Sequence, residues 1–97
     1  MRILDLWATQ PVSKRRMRQF DLGVEDDGLP PVLVALCPDG EYEVRDGHHR
    51  LAYYRLQGKE KLDDGEYFVI HVDECRRRLG RIDEVIEWNG LFEAVKS

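Results

Sequence analysis

The sequence predicts an α+β domain, a small mixed β-sheet with helices packed against it, and three observations carry that prediction. Val32-Leu33-Val34-Ala35-Leu36 is apolar throughout, as expected of a central strand buried on both faces. Tyr42 and Val44 alternate with Glu41, Glu43 and Arg45, the period of a half-buried strand. Leu51, Ala52, Tyr54 and Leu56 then recur at helical spacing, with Gly58 as the stop.

Taken in order, Ile3, Leu4, Leu6 and Trp7 are expected to form a short first strand, and Ala8-Thr9-Gln10-Pro11 to turn the chain. Ser13 stands at an N-cap position before Lys14-Arg15-Arg16-Met17-Arg18-Gln19-Phe20, a short basic helix ending near Gly23 with Met17 and Phe20 inward. Glu25-Asp26-Asp27-Gly28 reads as an acidic loop, and Leu29-Pro30-Pro31 leads into the central strand. Pro38-Asp39-Gly40 closes a tight turn into the strand from Glu41 to Arg45. Beyond the Leu51 to Gln57 helix comes a polar loop from Lys59 to Gly65, then a strand over Tyr67-Phe68-Val69-Ile70-His71-Val72. Val85, Trp88, Phe92 and Val95 make a helical stripe after Ile82, with Asn89-Gly90 as its weak point.

The 97 residues, 42% of them hydrophobic and 35% charged, correspond to one domain over 1–97, with its core at about 3–73 and a C-terminal helical segment at 74–97. No window reaches the roughly 18 apolar residues of a membrane span. Met1-Arg2-Ile3-Leu4-Asp5 has an acid and no sustained apolar run, so the expected compartment is the cytoplasm. The net charge of -4 argues against coating nucleic acid by charge alone. Cys37 and Cys75 lack metal or redox-motif spacing and are expected to be reduced and at least partly buried. A zinc site drawn from them with His48, His49 and His71 has no recognisable ligand spacing behind it.

The chemistry is concentrated in Asp46-Gly47-His48-His49-Arg50, at the junction of the second strand and its helix. The first-turn N–H groups of a helix have no intrahelical partner and the dipole presents its positive end there, so the junction suits an anion. Gly47 permits a close approach to the backbone, and Arg50 can grip a phosphate bidentately or pair with Asp46. The dipole contributes about 0.3–2 kcal/mol, whereas micromolar affinity needs roughly 8 kcal/mol, so Arg50 and the histidines have to add to it. Asp46 has three open roles: ligand to Mg2+, general base, or capping carboxylate. Glu25 is a further, weaker acid, and Tyr53 or Tyr54 a stacking surface for a base.

Gln10-Pro11, Leu29-Pro30-Pro31-Val32-Leu33-Val34, the Asp39-Gly40 turn, Tyr42-Glu43-Val44, Asp46 to Ala52, Gly58 and Ile70-His71-Val72 together resemble the ParB/sulfiredoxin superfamily, in its ParB-like branch with the DGHHR motif. The resemblance covers about residues 3–73. It implies a ParB/sulfiredoxin-like fold that seats nucleotide phosphates at Gly47, His48, His49 and Arg50. A nucleoside triphosphate is then the ligand or substrate, with Mg2+ as the implied cofactor. By analogy His49 is the nearer phosphate ligand and His48, with Asp46, stands at the reacting end. His48 occupies the place of the sulfiredoxin cysteine, so sulfinic acid reduction is not expected. Partition proteins carry an arginine-rich motif and an arginine after Gln-Pro, where this chain has His48, His49 and Val12; the kinase branch shares the Asp-Gly-His start.

The expected function is nucleotide binding, with phosphoryl transfer or hydrolysis as the implied chemistry. The alternative is a small DNA-associated module, nuclease-like by family naming, using Lys14, Arg15, Arg16, Arg18 and Arg76, Arg77, Arg78, Arg81. The first of these clusters would otherwise border the nucleotide pocket.

Overall fold

A computed structural model describes residues 1–13, 15, 16 and 30–88. Lys14, most of the expected basic helix, the acidic loop with Glu25, and the Asn89-Gly90, Phe92 and Val95 part of the last stripe lie outside these residues. The described strands are β1 (Trp7–Ala8), β2 (Val32–Leu36), β3 (Tyr42–Asp46), β4 (Tyr67–His71) and β5 (Gly80–Arg81); the helices are α1 (His48–Leu56) and α2 (Ile82–Trp88). They form a mixed sheet of order β4-β2-β3-β1-β5. β2 runs antiparallel to β3 and parallel to β4, while β1 runs parallel to β3 and antiparallel to β5.

The hairpin forms as its sequence dictates. Gly40, at φ 84°, donates its N–H to the Cys37 carbonyl at 3.0 Å, and the Asp39 carboxylate accepts the Glu41 N–H at 3.0 Å. A register shift between Leu33 and Val34 then sets Leu33 opposite Asp46, the effect of an extra residue on β3. α1 ends in a Schellman motif: Gly58, at φ 87°, donates to the Arg55 carbonyl at 3.0 Å and Lys59 to that of Tyr54 at 2.9 Å.

The first expected strand is corrected. Ile3–Asp5 is a 3-10 turn, and β1 begins only at Trp7. The Ile3 N–H goes to the Glu60 carbonyl at 3.0 Å and Arg2 bridges to Lys61, so these apolar residues are drawn to the loop after α1 instead of the sheet. Glu43 also departs from the alternation that placed it outward: it is wholly buried. β3 lies between β2 and β1, and segment 72–79 covers the Glu43 side, with the Arg76 N–H donating to both carboxylate oxygens at 3.1 and 3.2 Å.

Val32, Val34 and Val44 pack with Leu51 and Ala52 of α1, and the core continues past residue 73 through Ile82, Val85 and Ile86 of α2. Arg55 joins the two helices by a two-pronged pair to Asp83, at 2.8 and 2.9 Å. Arg55→Ala is expected to lower stability by about 1–2 kcal/mol, the worth of a partly screened, charge-assisted pair, read as a fall in the thermal midpoint. An unchanged midpoint would show the pair to be ornamental. β4, at the sheet edge, exposes Phe68, Val69 and Ile70.

Candidate functional site: an anion seat at the start of α1

β3 delivers the chain to Asp46, and Gly47 turns it into α1 with φ 108° and ψ 22°. A side chain here would adopt a disfavoured left-handed conformation, and its Cβ would lie 3.1 and 3.2 Å from the Val32 methyls and 3.3 Å from Arg50 Nε. Torsion therefore favours glycine, and a Cβ would also need the Val32 methyls and Arg50 to give by a few tenths of an ångström. The Leu51 N–H makes the first intrahelical bond, to the Gly47 carbonyl at 2.9 Å. The Asp46 carboxylate bonds none of the N–H groups that precede it; its Oδ2 accepts from Arg50 Nη2 at 2.8 Å instead. The capping role considered for Asp46 is thus replaced by an ion pair one helical turn long.

Arg50 is held on three sides. Its Nη1 donates to the carbonyls of Pro30 and Pro31 at 2.9 and 2.8 Å, and Nη2 to Asp46. Nε and the second Nη2 proton have no partner among the described residues. The guanidinium is anchored in place with donors to spare.

Both histidines accept backbone N–H groups from the segment after β1. His48 is 3% exposed, and its Nε2 accepts the Thr9 N–H at 2.9 Å. Thr9 Oγ1 lies 3.3 Å from the same nitrogen but donates to the Val44 carbonyl at 2.7 Å. An accepting Nε2 assigns the neutral imidazole's proton to Nδ1. Burial, reinforced by the charges of His49 and Arg76 and opposed by Asp46, pushes the His48 pKa down to about 4. His49 Nε2 accepts the Ser13 N–H at 3.0 Å, and burial with the nearby Arg16 lowers its pKa as well. The pair straps the Thr9 to Ser13 segment across the start of α1, both rings neutral at pH 7.

Gln10, Arg16 and Asp46 to Arg50 line a cavity of about 100 Å3. Enclosed small-molecule sites run to roughly 300–1,000 Å3, so this one fits a phosphoryl-sized group with the rest of a ligand lying outside it. With both imidazoles neutral, Arg16 and Arg50 against Asp46 leave one net positive charge, to which the helix start adds about half a charge. Gln10 and Thr9 are the contributors that sequence reasoning did not assign; the turn at Pro11, which returns the chain to α1, was their signal.

The basic clusters divide. Arg78 pairs with Asp39 at 2.9 Å, and Arg81 lies over the Trp7 ring at 3.9 Å and bonds the Asp5 carbonyl. Arg15, Arg16, Arg76 and Arg77 are exposed and make no ion pair with a described residue. Lys14 and Arg18 lie outside the described residues. Arg16 and Arg76, one from each cluster, both act on the histidines at the α1 start. Tyr53 and Tyr54 are both partly buried against the core, their rings tilted at 59° to each other.

Of the two free thiols, Cys75 departs from expectation. Cys75 is exposed while Cys37 is buried, and the two converge without the histidines. Their Sγ atoms and a Glu43 oxygen all lie within 4.8 Å of one another, a donor set that could hold a metal ion. Thiolates suit soft cations and Mg2+ prefers oxygen, so this set does not provide the Mg2+ expected near Asp46. Arg45 Nη2, at 2.6 Å from Glu43, stands against any cation there: at about 4 Å and an effective dielectric of about 20, two like unit charges repel by roughly 4 kcal/mol.

No helix among the described residues is long and apolar enough to cross a membrane. Compared with protein-family models, curated proteins and solved structures, the chain matches none.

Proposed function

We propose that this chain binds a nucleotide or a similar phosphorylated small molecule, seating a phosphate against the first turn of α1 between Arg50 and Arg16. The observation that carries the reading is the cavity itself: an uncapped helix start, a glycine turn and two guanidinium groups around a space of phosphoryl size. The resemblance of the Asp46 to Arg50 motif to the ParB-like branch supports nucleotide as the ligand class. Asp46, its side chain 72% exposed, has its second oxygen turned to no described partner and is the residue to meet Mg2+ carried on the phosphates. Hydrolysis or transfer would then rest on positioning and charge. In this reading His48 positions the Thr9 to Ser13 segment and His49 borders the phosphate.

Calorimetric titration of ATP, CTP, GTP and ADP with Mg2+, and of inorganic phosphate, tests the proposal. Binding is expected to weaken about tenfold or more in Arg16→Ala, the loss of one charge-assisted phosphate contact. Absent binding, or affinity unchanged in both Arg16→Ala and Arg50→Ala, overturns it. The exposed Arg15, Arg16, Arg76 and Arg77 favour a second reading, a DNA-associated module. Its mark in the same experiment is affinity for duplex DNA that collapses between about 50 and 200 mM salt; no affinity at the lower salt removes it.

A further inference from the structure

The geometry points to Cys37 and Cys75 as a reversible oxidation site, in which hydrogen peroxide converts the exposed Cys75 thiol to a sulfenic acid and the buried Cys37 closes it into a disulfide. The two sulfurs lie within 4.8 Å of each other. This closeness is imposed by the backbone on both sides of Cys75. The Glu74 carbonyl accepts from Arg45 Nη2 at 2.8 Å, and the Arg76 N–H is held by the Glu43 carboxylate. Cys37 is fixed in turn by its N–H, which donates to the Glu41 carbonyl at 2.9 Å. The buried Glu43–Arg45 pair therefore clamps the residues flanking one thiol directly over the other.

The two thiols are unequal in the way the sequence of steps needs. Cys75 is open to a small oxidant, and Arg78 Nη2 donates to its sulfur at 3.6 Å. Arg78 Nε is buried and without a hydrogen-bond partner among the described residues, an unused donor on the same guanidinium. Cys37 is shielded, and burial raises its pKa to about 11, which keeps it a thiol until the sulfenic acid forms beside it. Attack of the Cys75 sulfur breaks the O–O bond, leaves one oxygen on sulfur and releases the other as water. Attack of the Cys37 sulfur then forms the S–S bond and expels the second oxygen as water, with the Cys37 proton. The two thiols lose two electrons and the peroxide gains them.

The same donors could instead gather a soft cation, but the Glu43 carboxylate is already occupied by Arg45 and Arg76, and Arg78 adds a second positive charge at Cys75. The test uses the reduced full chain under native conditions with about one equivalent of hydrogen peroxide, read by intact mass and non-reducing peptide mapping. Expected is a monomer lighter by two hydrogens, with the Cys37 and Cys75 peptides linked, restored by dithiothreitol. In Cys37→Ser, Cys75 is expected to accumulate as a sulfenic acid trapped by dimedone, which keeps the assignment readable without the second thiol. Cys75 that passes to sulfinic acid in the native chain without linking, or a link formed only between two chains, overturns the proposal. So does one equivalent of zinc that remains through gel filtration and protects both thiols from alkylation. Phosphate and nucleotide binding are read separately, so either result stands without the other.

Discussion

Glu43→Ala is expected to cost about 3–5 kcal/mol of folding stability, the range for removing one partner of a buried ion pair. The side chain is wholly buried and its carboxylate lies 2.6 Å from Arg45, a guanidinium only 15% exposed. Removing it leaves that charge without a counter-ion and the Arg76 N–H without its acceptor. Since a domain of this kind is stable by only about 5–15 kcal/mol, the loss would be a large fraction of the whole. Urea denaturation of the two proteins measures it, and a midpoint shift worth less than about 1 kcal/mol would show that the pair is not held away from water. Glu43→Gln should fall between, because the amide oxygen still accepts from Arg76 while the charge is gone.

Lowering the pH from 7.5 to 4.5 is expected to remove about 2–3 kcal/mol through His48. Its folded pKa is pushed down to about 4, whereas the ordinary value is 6.5. Between these values the unfolded chain binds a proton that the folded chain refuses, so stability is full above about pH 6.5 and falls as the pH drops toward 4. Below about 4 both states are protonated and this contribution flattens. His49, lowered by burial and Arg16, adds a loss of the same sign. Protonation matters structurally because the Nε2 lone pair receives the Thr9 N–H, and a charged imidazole has no lone pair to offer. Denaturation curves across this range should shift in the native protein and shift markedly less in His48→Gln; equal slopes in both would remove His48 as the cause.

Local signals account for the parts of the fold that were legible. β2 was readable because a strand buried on both faces is continuously apolar, and the hairpin because Asp39 and Gly40 supply turn chemistry that depends on no distant residue. The end of α1 was readable in Gly58, at positive φ, whereas helical spacing placed its start at Leu51 and the structure begins it at His48, directly after Gly47. The first strand was not legible because Ile3 and Leu6 are apolar for either element; hydrogen bonds to Glu60 and Arg2 chose the 3-10 turn. β5, two residues long, has no periodicity to read. Glu43 looked outward because alternation assumes that one face of the sheet meets water, and only the return of segment 72–79 removes that water.

At the α1 start the sequence by itself determined the raw chemistry: a glycine turn, a helix N-terminus, an acid, two imidazoles and a guanidinium in five consecutive residues. Tertiary structure decided how each is used. Arg50 is anchored by prolines that lie far back in the chain, Arg16 reaches the same cavity, and both imidazoles spend a lone pair on backbone N–H groups of Thr9 and Ser13. Cys37 and Cys75 show the same division, being unrelated by spacing and brought together by the anchors around Glu43. The physical reason is common to all of them. Periodicity and turn preference act between neighbours along the chain, whereas burial, protonation and the partner of a side chain depend on which distant segment excludes water from it.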